Sequence, residues 1–330
     1  MNNLYIIGNG FDIYHGLDTK YSSFGGYLKK YHSIIYDYLI EYYGFSDVNA
    51  EYKSKGADVL WSEFEETLAL LDSETVLEAF SDSLARPGSS EFRDRDWGTF
   101  SIDIELIIKE LTDNLFEAFK KFILNVKYPE LLNSKRLPLI KEALYLTFNY
   151  TDTLERYYEV NEKNILYIHG KAELDDNDLI LGHGVNPDNF EIEDDKPPDG
   201  LSSEEYEQWS DQMTDNYDHS YELGKQEMLG YFLKTFKETK SIIHENESFF
   251  ENLNEITNVV ILGHSLSDVD MPYFKKVFDS ISKNSQWSAS YYCECEKHSH
   301  MNVMNDLGIK KRNRRLISIE QGVRATKNQR

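Results

Sequence analysis

The chain has 330 residues, 40% hydrophobic and 28% charged, a size and balance that exclude wholesale disorder. Acids outnumber bases 58 to 35, for a formal charge of −23. A surface of that sign repels phosphate backbones and argues against general nucleic-acid binding.

No apolar run approaches the roughly 20 residues of a membrane span. The first residues carry neither a basic stretch nor a cleavable apolar one. Two cysteines, Cys293 and Cys295, are too close for a disulfide framework and fit a reducing compartment. A soluble, cytoplasmic protein is the expectation.

In chain order, residues 4–7 are a short apolar run closed by Gly8 and predict a first, central strand, with a helix from about Asp12. Residues 20–143 contain no convincing strand. Apolar residues at helical spacing over 27–43, 61–72, 76–84 and 102–126 predict helices there, with a loop at 85–97 around Pro87 and Gly88. Strands follow at 144–148, 165–168 and 179–181. Residues 173–218 are dense in acids, with Lys196 their one base. They predict a solvated excursion, helical from Glu204 onward, with an acidic lid as the alternative.

Residues 217–253 read as helical and 259–262 as a buried strand. A helix from Asp270 holds Pro272 in its first turn, and 288–292 and 316–319 supply the last strands. Strands alternating with helices predict the α/β class, a three-layer Rossmann-like parallel sheet with a large helical insertion after the first strand. Within one domain over 1–330, the nucleotide-binding core comprises 1–19, 144–185 and 256–330. Residues 20–143 are the insertion, and 186–255 an acidic and helical excursion.

Four strand exits carry chemistry, since ligands of open α/β sheets sit at the carboxyl ends of the strands. The first reads G-N-G-F-D: Gly8 allows a tight turn, and Gly10 lets backbone approach a pyrophosphate. Ile13 stands where a third fingerprint glycine belongs. Asp12 reads equally as a helix cap or a ribose contact. The second exit presents Asn149, a turn residue or a binding amide. The third, His169-Gly170, lies about twenty residues on, room for a short crossover that sets amide and imidazole side by side.

At the fourth exit Gly263 and Ser265 are small enough for close approach. Asp268 suits ribose hydroxyls, and Asp268 or Asp270 suits the cap of the next helix. His264 and His183 rival His169 for acid–base work. Cys293 and Cys295 with His298 and His300 match no common zinc spacing, so no metal is expected. The carboxylates of W-S-E-F-E-E, residues 61–66, read as a solvated helix face, and the basic island 310–315 as surface or a contact for an acidic partner.

The set I-I-G-N-G-F-D-I-Y-H-G-L, W-S-E-F-E, T-F-N-Y-T-D-T-L-E, I-H-G and L-G-H-S-L-S-D-V-D closely resembles the bacteriophage abortive-infection AbiH family. The resemblance runs nearly end to end and is weakest near 85–100 and 186–220. AbiH-like proteins are in turn distantly similar to SIR2-like, sirtuin-related, defence proteins.

That resemblance implies an NAD-consuming antiviral effector, with NAD or a related nucleotide as substrate and catalytic roles at Asn149 and His169. Cofactor contacts would fall on Gly8, Asn9, Gly10, Phe11, Asp12, Gly263, His264, Ser265 and Asp268. It also implies control by a phage-derived or partner-protein trigger, or by homo-oligomer assembly. Two departures stand out: an acid, Asp12, where the sirtuin-like turn has a small hydroxyl, and Y-T-D in place of Y-D. Alternatives are a non-catalytic nucleotide sensor or scaffold, and a nuclease with a metal on Asp12, Asp268 and Asp270.

Overall fold

The computed structural model describes residues 2–48, 57–174, 178–190, 197–198, 200–216 and 218–319. Its centre is one six-stranded sheet, every pair parallel, in the order β3-β2-β1-β4-β5-β6. The strands are β1 (Asn3–Ile7), β2 (Leu144–Thr147), β3 (Ile165–Tyr167), β4 (Asn258–Leu262), β5 (Gln286–Tyr291) and β6 (Arg314–Ser318). Alternation splits the side chains of β1 between two faces. Leu4 and Ile6 join Leu146, Val259 and Ile261 on one face, while Tyr5 and Ile7 join Tyr145 and Leu262 on the other.

The first face is covered by α12 (Thr239–Glu245), α13 (Glu247–Glu251), α14 (Met271–Ser280) and α15 (Glu294–Asp306). The second is covered by α1 (Asn9–Tyr14) and α9 (Thr153–Tyr158). This is the expected three-layer α/β architecture.

Between α1 and β2 the described residues are helical or irregular: α2 (Tyr21–Tyr31), α3 (Ser33–Tyr43), α4 (Ala57–Ser62), α5 (Phe64–Thr67), α6 (Ser73–Ala79), α7 (Thr99–Lys109) and α8 (Leu115–Leu124). They hold a separate core of Phe24, Trp61, Phe64, Phe100 and Phe119, which α11 (His219–Lys234) joins through Met228 and Tyr231. α10 (Ser203–Asn216) falls within the acidic stretch, of which 175–177, 191–196, 199 and 217 lie outside the described residues.

Three expectations need correction. Residues 179–181 form no strand. Leu179 and Leu181 are apolar because they pack into the insertion's core, and Ile180 is held by its N–H to His169 O (2.9 Å) and by the Tyr150 hydroxyl on its carbonyl. The helix expected over 27–43 breaks at His32, whose backbone (φ −140°, ψ 56°) is not helical. Cys293, read as fitting a reducing compartment, is disulfide-bonded and stands at the N-cap of α15. Among the described residues, no helix is long and apolar enough to cross a membrane.

Candidate functional site

The chain runs from β1 outward to β2 and β3, then crosses back to β4 on the other side of β1, which makes the β1/β4 boundary the topological switch point. The two turns there are joined backbone to backbone. Gly8 N–H donates to Leu262 O (3.0 Å), Gly10 N–H to Gly263 O (2.7 Å) and Phe11 N–H to Gly8 O (2.9 Å). A Cβ on Gly10 would stand 2.8 Å from Gly263 O, and one on Gly263 would stand 2.1 Å from Phe11 N.

The glycines expected to admit a diphosphate therefore admit one another. Asn9 is tied to Thr19 through Nδ2 on the carbonyl (2.9 Å) and Oδ1 on the hydroxyl. Phe11 is fully buried among Leu17, Tyr158 and Ile7. Ser265 and Asp268 are exposed.

The polar chemistry is buried beside this weld, under the exits of β1, β2 and β3. In one half, Asp12 accepts from the Thr151 hydroxyl (2.6 Å), which meets Thr153 Oγ1 (2.9 Å). Burial pushes the Asp12 carboxyl up to about 6 against the opposing pull of Thr151, Thr153 and Asn149. Asn149 lies close enough to exert that pull, yet both its amide atoms, like Asp12 Oδ1, are buried without a hydrogen-bond partner.

The other half centres on Asp270. Leu266 N–H donates to His264 Nδ1 (2.9 Å), so the proton of neutral His264 sits on Nε2, which faces Asp270 Oδ2 at 3.3 Å. The other carboxylate oxygen, Oδ1, stands 3.8 Å from His169 Nε2 and 3.8 Å from Lys237 Nζ. Lys237 also pairs with Glu65 of α5, whose second oxygen accepts from the Tyr21 hydroxyl (2.5 Å).

Burial would raise the Asp270 carboxyl, but the Lys237 ammonium, with His264 and His169, holds it well below the usual range. Burial and then Lys237 push the His169 imidazole far below its ordinary value, over the opposing pull of Asp270. His169 Nε2, Asp270 Oδ1 and the Tyr273 hydroxyl are further buried polar atoms without partners. The Phe148 ring packs edge-on to both imidazoles of this half, His169 (5.2 Å) and His264 (4.4 Å).

Such unsatisfied buried groups each cost about 1–3 kcal/mol and in a native fold point to a bound polar molecule or a chemical role. Asn149 thus meets Asp12 in one half, His169 and His264 both face Asp270 in the other, and Asn149 and His169 follow the paired ends of β2 and β3. His183 does not join them: it is fully buried beside Phe190, Phe232 and Phe236, with its imidazole pushed down to about 4 by that burial. Asp270 is no side-chain cap for α14, since its carboxylate turns into the cluster. Glu65 and Lys237 escape the sequence reading. Glu65 is not solvated, because a non-helical residue at Glu63 separates α4 from α5 and turns it toward Lys237.

Asp12 yields a pH prediction. Its folded pKa is raised, so the stability tied to its protonated form is full below about pH 4 and lost as pH rises through about 6. Asp12→Asn is expected to stabilise the fold by about 3 kcal/mol at pH 8 and by only about 1 kcal/mol at pH 4.5. Urea midpoints at the two pH values measure this, and a difference independent of pH would refute it.

No curated protein and no solved structure matches the chain. The family model described as "Bacteriophage abortive infection AbiH" matches residues 4–291, which include every element that builds the buried cluster. The chain belongs to the AbiH family of bacteriophage abortive-infection proteins.

Proposed function

We propose that the chain acts in abortive infection by hydrolysing NAD⁺ at its nicotinamide–ribose bond. The observation that carries this reading is the set of buried polar atoms on Asn149, His169 and Asp270 that lack hydrogen-bond partners, all from segments that follow the strand exits. The C1′–N bond breaks with its electron pair returning to the pyridinium, so nicotinamide leaves neutral and needs no acid. Water adds to the oxocarbenium-like ribose, and its proton passes to His169 and then to solvent. His169 is neutral and open to that proton, and its weakened basicity passes the proton on rather than retaining it. Asn149 orients the water or the ribose hydroxyls, and ionised Asp270 favours the developing positive charge. The contacts first assigned to Asn9, Ser265 and Asp268 would lie at the rim rather than in this cluster.

The test is purified protein incubated with NAD⁺, with nicotinamide and ADP-ribose quantified. Asn149→Ala and His169→Ala are each expected to slow release by roughly 100-fold or more. His183→Ala, outside the cluster, should leave the rate unchanged. Binding of NAD⁺ without release would make the protein a sensor. If NAD⁺ is neither bound nor cleaved, the reading is wrong.

A further inference from the structure

We propose that Lys237 is the positioning residue of this site: its ammonium shares Asp270 Oδ1 with the His169 imidazole and so keeps Nε2 for a substrate proton. The inference rests on the reading of His169 as base, but its geometry stands apart from any substrate. The Lys237 ammonium and the His169 imidazole face the same oxygen at the same 3.8 Å, just outside hydrogen-bond range. Without the ammonium, a protonated His169 would close on that carboxylate, and the base would be consumed.

Lys237 is well placed to prevent this. It lies between α11 and α12, its side chain is 1% exposed, and its second partner, Glu65, comes from the insertion. Burial works against the ammonium, but Glu65 and Asp270 outweigh it and hold the charge. The other groups facing His169 change none of this. His264 from the β4 exit donates to Asp270 Oδ2, while Tyr150 from the β2 exit and Tyr273 from α14 present neutral rings.

The arrangement also explains why a helical insertion is tied to the site by charge. Glu65 fixes where the Lys237 ammonium sits, and Tyr21, from α2, fixes Glu65. Positioning of the base thus depends on a part of the chain that supplies no strand.

The experiment is an NMR titration of the His169 ring, assigned by its loss in His169→Ala, in the full chain without nucleotide. In the parent and in Lys237→Arg the ring should stay neutral well below the usual imidazole range. In Glu65→Gln/Lys237→Met, which removes both charges of that pair together, its midpoint should rise toward the usual imidazole range. Lys237→Met alone should do the same if it folds. An unchanged His169 titration in the folded double variant overturns the inference, whatever the NAD⁺ assays give. Failure of NAD⁺ cleavage with the shift present overturns the hydrolase reading and leaves Lys237 its role.

Discussion

Gly263→Ala is expected to destroy the fold or to cost more than about 4 kcal/mol, far beyond a usual glycine substitution. Two effects add. Gly263 has φ +66°, where an L side chain is strained by about 1 kcal/mol. Its Cβ would also stand 2.1 Å from Phe11 N and 2.4 Å from Gly10 C, backbone atoms that cannot swing aside as a side chain can. Gly44→Ala separates the terms, because Gly44 has φ +71° and open space where the Cβ would go. It should lose only about 1 kcal/mol. Urea midpoints and soluble yield measure both variants. Equal losses would mean that the β1 and β4 turns are not welded as described.

Glu65→Ala should cost about 3 to 5 kcal/mol, because it strands the Lys237 ammonium in the interior. The Glu65 and Lys237 side chains are only 16% and 1% exposed, so water screens the pair little. Asp270, 3.8 Å from Lys237, remains as a partial counter-charge and places the loss toward the lower end of that range. Glu65→Gln/Lys237→Met, which removes both charges and keeps the volume, should recover part of that loss but not all, because Asp270 is then left with only His169 and His264 to face it. The comparison is again by urea denaturation. A single variant as stable as the double would show that the pair is not buried in solution.

How far the sequence discloses this molecule varies by element. The runs closing at Gly8, Asn149, His169 and Gly263 mark the ends of β1 to β4 within a residue or two, because a buried parallel strand is a continuous apolar run with an abrupt end. Residues 179–181 look the same and are not a strand, since apolarity reports burial and not what does the burying. Asn149 and His169 are legible as candidate site residues because polar groups at strand exits need partners.

Lys237 is not, for it sits in a stretch that reads as unbroken helix. Its partner Glu65 is 172 positions away, among carboxylates that look solvated. A buried charge is specified by a neighbour in space, and one sequence does not list spatial neighbours. The available signal was W-S-E-F-E, part of the family pattern, with its carboxylates left without a role.

The strand order has a consequence for a cell that makes this protein. β1, from the first residues, pairs on one side with a strand about 140 positions later and on the other with β4, about 255 later. Asp270, beyond β4, completes the cluster. A ribosome-bound chain therefore carries an unfinished sheet and no complete site until synthesis has passed residue 270. Contacts of such long range also form slowly. Partial products and chains cut short by premature termination lack the site altogether, so translation itself withholds the complete cluster until the molecule is nearly whole.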